Sequence, residues 1–306
     1  MASDDDLLDC IIVGAGAAGL TAAVYLARFR RRIALLDGAG SRLLLIPESH
    51  NYPGYAHGIH GPDVLARLRE QALQYDVQVQ NTTIDSLERD AHGNFVARAE
   101  HRSWRARTAL LATGVTDVAP PFAEVSTALA TGRLRYCPIC DGYEAIGRSA
   151  AVLGRGNSGV EEAIFVRHFA DKVYVCALDD PLQLDDGQRE RLARARVDVV
   201  APPVTALGLS NGPHERMWLA LDDGGELDVD IVYAALGTLV NSGLGQLLGA
   251  QCADNDELLV DAHQQTSVDG LYAAGDVVIG LNQIAVAMGH AAIAATAIHN
   301  RLRTRQ

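Results

Sequence analysis

The chain has 306 residues, 48% of them hydrophobic, so it can bury a large core and its length fits about two domains. Its 26 Lys and Arg face 38 Asp and Glu, and the formal charge of -12 repels phosphate backbones and anionic lipid surfaces. These values exclude a disordered chain and argue against nucleic acid as a partner.

The amino terminus, MASDDDLLD, is acidic where a secretory signal is basic, which predicts a cytoplasmic protein. The uncharged run from Cys10 to Ala27 is long enough to cross a bilayer, but its glycines at 14, 16 and 19 favour a turn. We therefore expect no stable membrane span. Five cysteines in so long a chain are too sparse for a disulfide framework.

The first motif, DCIIVGAGAAGLTAAVYLARFRRRIALLD, predicts a strand, a glycine turn, a helix and a second strand that ends at Asp37. Gly14, Gly16 and Gly19 form G-x-G-x-x-G, which suits a tight turn, the approach of a pyrophosphate and contact between helix and strand. The helix amino terminus would face the phosphates, and the Asp37 carboxylate would accept hydrogen bonds from a ribose diol. In this order, the features favour dinucleotide binding over a merely tight turn.

The second motif, RYCPICDGYE, places Cys137 and Cys140 three positions apart. Zinc would need two further ligands, and Cys10, Cys176 and Cys252 each stand alone in the sequence. We interpret those three as small apolar fillers and expect no metal site. A redox disulfide is the favoured interpretation of the close pair, with packing and metal binding as the alternatives.

Residues beside the pair support redox chemistry. Pro138 suits the first position of a helix, which would put Cys137 near a helix amino terminus where the dipole favours the thiolate. Asp141 could then shuttle a proton as the pair opens and closes. The alternative role for Asp141 is that of a first-turn acid stabilised by the same dipole.

A second glycine unit follows at SAAVLGRGNSGVEEAIFVRHFADKVYVCALDD, with glycines at 154, 156 and 159. It has the same predicted order of strand, turn, helix and strand. Between the two halves, DVAPPFAEV carries paired prolines that suit a linker. The sequence therefore predicts two nucleotide-type folds in one chain.

The segment GLYAAGDVV, which contains Asp276, indicates that the chain returns to the first domain. The strand before it is followed by NQIAVAMGHAAIAATAI, a charge-free helical pattern that we expect to be buried. The carboxylate of Asp276 could hold cofactor hydroxyls or cap a helix. The predicted boundaries are 1–118 and 242–306 for the first domain and 119–241 for the central domain.

Six motifs together carry a family resemblance: GAGAAG, NYPGY with GIHG, LLATG, CPICDG, GRGNSGVEEA and GLYAAGD, in this order. They resemble the low-molecular-weight thioredoxin reductase family nearly end to end. The resemblance implies an α/β fold with two Rossmann-like, three-layer ββα dinucleotide-binding domains, the second inserted into the first. It also implies a homodimer that binds FAD and exchanges two electrons between flavin and the cysteine pair, with a thioredoxin-like protein or a small dithiol or disulfide as substrate.

The resemblance also assigns residues. Cys140 would face flavin C4a, Cys137 would meet the outside thiol, and Asp141 would be the acid/base. Gln283 matches the family's flavin-facing glutamine, while Asn282 replaces the arginine usual before it. The expected FAD contacts are Gly14, Gly16, Ala17, Gly19, Asp37, Asn51, Gly114, Gly275, Asp276, Gln283 and Ile284.

The second glycine unit departs from the family. Members that use NADPH have His-Arg-Arg after the strand that corresponds to KVYVC, whereas this chain reads ALDDPLQLDD, with no Lys or Arg between Lys172 and Arg189. Asp179 and Asp180 would repel a 2′-phosphate, so NADPH is disfavoured. Asp179 could instead hold a ribose hydroxyl, which implies NADH. The expected contacts at this second site are Gly154, Gly156, Asn157, Ser158 and Asp179.

Alternatively, the second site is degenerate. Relatives of this kind include dithiol oxidases, which pass electrons from a dithiol through FAD to oxygen, and diflavin-linked disulfide oxidoreductases, which keep a second FAD. The sequence thus predicts an FAD-dependent dithiol/disulfide oxidoreductase that works without NADPH. The alternatives are an NAD(P)H-dependent thioredoxin-disulfide reductase and a non-catalytic FAD-binding regulatory protein.

Overall fold

The computed structural model describes residues 7–178, 180–210 and 216–304. The strands are β1 (Leu8–Val13), β2 (Ile33–Asp37), β3 (Val79–Asn81), β4 (Ser86–Arg89), β5 (Phe95–Ala99), β6 (Arg102–Leu111), β7 (Val115–Asp117), β8 (Leu134–Arg135), β9 (Ser149–Gly154), β10 (Lys172–Cys176), β11 (Val197–Val200), β12 (Val204–Leu209), β13 (Met217–Leu221), β14 (Glu226–Val229), β15 (Ile231–Ala235), β16 (Thr238–Val240) and β17 (Leu271–Ala273). The helices are α1 (Ala17–Arg28), α2 (Gly61–Leu73), α3 (Val125–Ala130), α4 (Pro138–Asp141), α5 (Gly156–Val166), α6 (Asp186–Ala195), α7 (Gly243–Leu247) and α8 (Ile284–Arg303).

The chain forms two compact units. Unit 1 contains the residues up to Leu44, Gly61–Thr116 and the residues from Val240 onward, and unit 2 contains Leu45–His60 and Asp117–Leu239. The predicted boundaries include 45–60 in the first domain, whereas the structure groups these residues with unit 2. One contact within unit 2 is the hydrogen bond of 3.4 Å that the side-chain amide of Asn51 donates to the carbonyl of Ile139.

Unit 1 is built on a parallel sheet in the order β3-β2-β1-β6-β17. The first half of the long strand β6 pairs antiparallel with β5, which pairs with β4. Val13 of β1 lies opposite both Leu36 of β2 and Leu111 of β6, and Leu111 lies opposite Ala273 of β17. Because these strands are parallel, their carboxyl ends meet at one edge of the sheet, where ligands bind in this class of fold.

Helix α8 differs from the expectation that it would be buried. One face packs in unit 1 through Ala287, Ala291 and Ile298, whereas Ala285 and Gly289 are exposed and Ile293 is 43% exposed. A charge-free pattern therefore does not require burial here, because small side chains expose little apolar area to water.

Unit 2 repeats the layers of unit 1. Its parallel sheet has the order β11-β10-β9-β15-β8, and β12, β13 and β14 form an antiparallel sheet. Along β9, Ala150 and Val152 belong to the core that includes residues of α5, while the alternate residues Ala151 and Leu153 belong to the core of the antiparallel sheet. This alternation gives helix, parallel sheet and antiparallel sheet as three layers.

The predicted fold class is confirmed, because two Rossmann-like units are present and the second is inserted in the chain of the first. Strands β7 and β16 pair with each other where the chain passes from one unit to the other. Within residues 7–178, 180–210 and 216–304, no helix combines the length and apolar character needed to cross a membrane.

Candidate active site

The first glycine turn links β1 to α1 at the carboxyl edge of the unit 1 sheet. Gly14 has φ +101°, and a Cβ there would lie 2.2 Å from the carbonyl oxygen of Ala112. A Cβ on Gly19 would lie 1.8 Å from the carbonyl oxygen of Gly14, so helix and strand touch through bare backbone. Gly16 is different, because its added Cβ would first meet Ser41 Oγ at 3.4 Å. The turn is therefore closed toward the protein and open at Gly16, as a phosphate cradle requires.

Asp37 joins the end of β2 to this turn. It is 7% exposed, and its Oδ1 accepts a hydrogen bond of 3.0 Å from the backbone N–H of Ala15. Its Oδ2 lies 3.9 Å from Nη2 of Arg69. The carboxylate thus holds the turn with one oxygen, and the other oxygen is available to a hydroxyl pair.

Asp276 follows β17 at the same edge. A Cβ on Gly275, which has φ +83°, would lie 3.0 Å from the Cβ of Ala18 in α1, so the segment lies beside the first helix. Oδ2 of Asp276 pairs with Nη1 of Arg42 at 3.2 Å. Gly114 lies just past the end of β6, with φ +62° and open space where a Cβ would lie.

Gln283 occupies the position before α8 in an extended conformation, next to Ile284, the first helical residue. Nearby, Asn282 Oδ1 and His290 Nδ1 are buried and have no hydrogen-bond partner among the described residues. Burial lowers the pKa of His290, although the charge of Asp276 acts in the opposite direction. Buried polar atoms of this kind normally have partners. Together with the open turn and the two strand-end carboxylates, this donor and acceptor set fits a dinucleotide such as FAD.

The redox pair lies in unit 2, where Cys137 and Cys140 form a disulfide. Cys137 stands at the amino-terminal cap of α4, Pro138 takes the first helical position as predicted, and the N–H of Cys140 donates to the carbonyl of Cys137 at 2.9 Å. Ile139, between the sulfurs, is 53% exposed. Asn51 reaches this motif through its bond to Ile139, so its predicted contact with FAD stays a prediction.

Asp141 ends α4 in a mostly buried position beside Arg135. Its Oδ2 lies 3.5 Å from Nη1 of Arg135, and its backbone oxygen accepts from the same guanidinium at 2.8 Å and from the hydroxyl of Tyr233 at 3.2 Å. Burial raises the pKa of Asp141 to about 6, against the opposing charge of Arg135, and the charge of Glu144 raises it further. A carboxyl with this pKa can take up and release a proton near neutral pH.

The remaining cysteines behave differently. Cys10 and Cys176 are buried, and burial raises the pKa of each thiol to about 12, which fits the apolar filler role. Cys252 is only partly buried, but it also packs against the core of unit 1, and burial raises the pKa of its thiol. Its loop position after α7 leaves part of the side chain at the surface.

The second glycine turn links β9 to α5. A Cβ on Gly154 would lie 2.4 Å from Cα of Gly159, so helix and strand again touch. Here the positive φ falls on Gly156, at +51°, and not on the first glycine. The side chains of this turn bond to the protein: Ser158 Oγ donates to the carbonyl of Arg155 at 2.9 Å, and Asn157 Oδ1 accepts from Gln188 at 3.2 Å.

The end of β10 carries no carboxylate at the position that Asp37 holds in unit 1. Leu153 lies opposite Cys176 as Val13 lies opposite Leu36, and the next residue is Ala177, which is 3% exposed. Leu178 after it is also buried, and Asp180 is exposed. Asp179, the predicted ribose ligand, lies outside the described residues.

Comparison with known proteins identifies the class. The sequence profile of the family described as Pyridine nucleotide-disulphide oxidoreductase matches residues 8–291. The chain belongs to this family. A thioredoxin reductase of Mycolicibacterium smegmatis is 30% identical over 290 residues, which cover 91% of each chain.

Two solved structures share the whole architecture. A thioredoxin reductase of Streptococcus pyogenes has a TM-score of 0.86 and 26% identity, over 98% of this chain and 100% of its own. The protein HlmI has a TM-score of 0.89 and 26% identity, over 99% of this chain and 95% of its own. The resemblance drawn from the motifs is thus confirmed, and the chain is a thioredoxin reductase-like, FAD-dependent disulfide oxidoreductase.

Sequence reasoning missed several groups around Asp141. Arg135 precedes the CxxC motif by two positions, Tyr233 lies on β15, Glu144 follows α4, and Glu162 lies on α5. Arg135 could have been suspected, because a basic residue beside a reactive cysteine stabilises its thiolate. The others come from distant parts of the chain or resemble ordinary helix charges, so no local pattern marks them.

Proposed function

We propose that this oxidoreductase exchanges two electrons between FAD and a thiol/disulfide substrate through Cys137 and Cys140, without NADPH. The observation that carries the proposal is the end of β10, where buried, neutral Ala177 follows the strand and the described residues after it, Leu178 and Asp180, offer no cation. Neither Ala177 nor Leu178 can pair with a 2′-phosphate, and exposed Asp180 would repel it.

Polar groups around the second turn support the same proposal. Asp185 caps α6 in a capping box with Gln188, and Gln188 also donates to Asn157 in the first turn of α5. Arg191 of α6 makes a two-pronged ion pair of 2.6 Å contacts with Glu161 of α5. The hydrogen-bonding capacity of these side chains is therefore already engaged within the protein.

The residues of the redox centre would share the chemistry as follows. Cys137 exchanges with the sulfur of the substrate, Cys140 exchanges electrons with the cofactor, and Asp141 takes up or releases the proton. Bound FAD supplies a two-electron acceptor or donor. We place its phosphates at Gly14, Gly16, Ala17 and Gly19 and its ribose hydroxyls at Asp37, with further contacts from Asn51, Gly114, Gly275, Asp276, Gln283 and Ile284.

The partner would be a thioredoxin-like protein or a small dithiol, since either would require an accessible sulfur at Cys137. The relatives named thioredoxin reductase support a protein partner. A homodimer in the cytoplasm is part of the same proposal and rests on the family resemblance.

Anaerobic titration of the purified yellow protein tests the proposal directly. We expect dithiothreitol to bleach the flavin absorbance, and NADPH to bleach it slowly or not at all, with NADH no slower than NADPH. Rapid bleaching by micromolar NADPH, with NADH inert, would contradict the proposal. A yield of two flavins per chain would identify the second site as a flavin site.

The second candidate function is an NAD(P)H-dependent thioredoxin-disulfide reductase. The names of the relatives favour it, and so does the retained contact between Gly154 and Gly159. If the titration supports this candidate, Asp179 or a basic residue from another part of the chain must meet the ribose. A purely regulatory FAD protein is less favoured, because it would not need a disulfide beside an acid of raised pKa.

A further inference from the structure

Two further carboxyl groups, those of Glu144 and Glu162, interact with Asp141, the residue that follows Cys140 in unit 2. Asp141 Oδ1, Glu144 Oε2 and Glu162 Oε1 are each buried without a hydrogen-bond partner among the described residues. Glu162 comes from α5, which packs against α4, the short helix of the CxxC motif. The groups that face Asp141 are Arg135 of β8, Tyr233 of β15, Glu144 of the following turn and Glu162 of α5.

The charges of this cluster do not balance when Asp141 and Glu162 are both ionised. Arg135 is the cation that pairs with Asp141, and it also donates to the carbonyls of Gly132 and Asp141. Two carboxylates, those of Asp141 and Glu162, against this one guanidinium leave a negative charge in a largely buried place, where an unpaired ionised acid is strongly disfavoured. One of these two acids therefore holds a proton near neutral pH, and a protonated carboxyl can donate where a carboxylate cannot.

We propose that Glu162 is the proton reserve of Asp141: the two carboxyls share one proton, and Glu162 supplies it to Asp141 or takes it back as the disulfide opens and closes. Glu162 is thus a positioning residue that acts through Asp141. This inference rests on the proposed acid/base role of Asp141.

The order of titration supports this direction of transfer. Burial, and then the charge of Asp141, raise the pKa of Glu162 to about 7, while that of Asp141 is raised to about 6. Between these values Asp141 is ionised and Glu162 holds the proton. Since the two acids titrate about one pH unit apart, transfer between them is nearly isoenergetic.

The balanced exchange assigns each proton and electron. A substrate thiolate attacks Cys137 Sγ, the bond between the two cysteine sulfurs breaks, and Cys140 leaves as a thiolate. The second substrate thiolate attacks the substrate sulfur of the mixed disulfide, which releases Cys137 as a thiolate and the substrate as a disulfide. Two electrons have then moved to the cysteine pair. Of the two thiol protons, one goes to ionised Asp141 and the other goes to solvent. Above pH 7, where Glu162 is ionised as well, Asp141 passes its proton on to Glu162; the reverse reaction runs each step backward.

The test measures the equilibrium between the enzyme disulfide and dithiothreitol in the holoenzyme from pH 5.5 to 8.5, by acid quenching and mass analysis of alkylated Cys137 and Cys140. The wild type should show two inflections, near pH 6 and near pH 7. Glu162→Gln should lose the upper one, so that its equilibrium constant matches the wild type below pH 6 and departs from it by about tenfold above pH 7. Glu162→Asp should restore an upper inflection, which a purely structural role would not predict.

Glu161→Gln is the matched control, because Glu161 neighbours Glu162 on α5 but is exposed and paired with Arg191. It should keep both inflections. Infrared spectra of the oxidised enzymes at pH 6.5 give a second measurement: the band of a protonated carboxyl should be clearly stronger in the wild type than in Glu162→Gln, where only the partly protonated Asp141 contributes from this pair. FAD content and melting temperature verify that each variant is folded.

Two outcomes are distinguished. If Glu162→Gln is folded and has the wild-type profile and infrared band, the proton reserve is refuted while the proposed function stands. If dithiothreitol opens the disulfide in no variant, including the wild type, then the proposed function fails first and the inference fails with it.

Discussion

The two glycine turns, one in each unit, share the same sequence pattern but differ in the residues that surround them. In unit 1 the residue after the end of the strand pairing is Asp37, which bonds to the turn at Ala15. In unit 2 the same register position is Ala177, and the side chains of the turn bond to α6 and to their own backbone. The glycines fix only the backbone contact between helix and strand, and the strand-end residue decides which ligand can be held.

The difference also shows what unit 2 has kept. At the end of β10 the described residues Ala177, Leu178 and Asp180 include no cation, but the cysteines of this unit form a disulfide at a helix amino terminus with Asp141 and Arg135 beside them. This contrast is what the proposed exchange of electrons without NADPH rests on. Variants that change the redox pair or only one of the two turns test this contrast.

Loss of the redox pair should have the largest effect. Cys140→Ser and Cys137→Ser should each abolish turnover of dithiols, because either change removes the disulfide. The control is Cys252→Ser, since Cys252 is partly buried in unit 1 and should leave turnover unchanged. Reduction of the flavin by dithiothreitol under anaerobic conditions, the half-reaction that turnover requires, measures the variants and the control, and normal flavin reduction in the double variant Cys137→Ser/Cys140→Ser would make the CxxC motif structural.

The third glycine of each turn gives the next largest effect and separates the units. In Gly19→Ala the new Cβ would lie 1.8 Å from the Gly14 oxygen, so we expect loss of most bound FAD and a lower yield of folded protein. In Gly159→Ala the closest approach is 2.8 Å, to Cα of Gly154. This variant should melt at a lower temperature and keep its FAD. Gly289→Ala on α8, with open space around the added Cβ, is the neutral control.

Equal loss of FAD in Gly19→Ala and Gly159→Ala would contradict the contrast between the turns. It would mean that the turn of unit 2 also holds a flavin or that the two units unfold together. Flavin absorbance per chain, measured on the folded fraction after gel filtration, distinguishes loss of a bound flavin from loss of folded protein.

Asp37→Asn should weaken FAD binding by about tenfold to a hundredfold, the value of a hydrogen bond to a charged group. The asparagine oxygen can still accept from the N–H of Ala15, so the turn itself should survive. Asp63→Asn on the exposed first turn of α2 serves as the control. Titration of the apoprotein with FAD gives both affinities, and an unchanged affinity in Asp37→Asn would remove Asp37 from the cofactor site.

Most of the fold followed from sequence because its signals are local. The glycine turns, the strand that ends at Asp37 and the proline that starts α4 each carry their information within a few residues. Ala177 occupies the position in unit 2 that Asp37 occupies in unit 1. This equivalence could also have been found from the sequence, by aligning the ends of the two strands. The acidic cluster could not, because Glu162 on α5 and Tyr233 on β15 reach Asp141 only through packing of unit 2.

The smallest expected effect is on stability, from Glu162→Gln. The pKa of Glu162 rises from 4.5 to about 7 on folding, so the folded state binds this proton more tightly than the unfolded state does. Tighter proton binding by the folded state therefore stabilises the protein fully below pH 4.5, and this stabilisation is lost as the pH rises through 7. Removing the ionisable group should stabilise the protein by about 1 to 2 kcal/mol at pH 8, and the gain should shrink toward pH 4.5.

Chemical denaturation at pH 5 and pH 8, at fixed FAD and protein concentration, measures that gain. Glu161→Gln should give the opposite sign or no change, because Arg191 lowers the pKa of Glu161 and the variant loses an exposed ion pair. A gain for Glu162→Gln of the same size at both pH values would point to packing of the amide and not to titration. If Glu162→Gln instead lowered the free energy of unfolding at pH 8, Glu162 would be ionised and paired in the folded protein. Glu162 could then not be the residue that stores the proton.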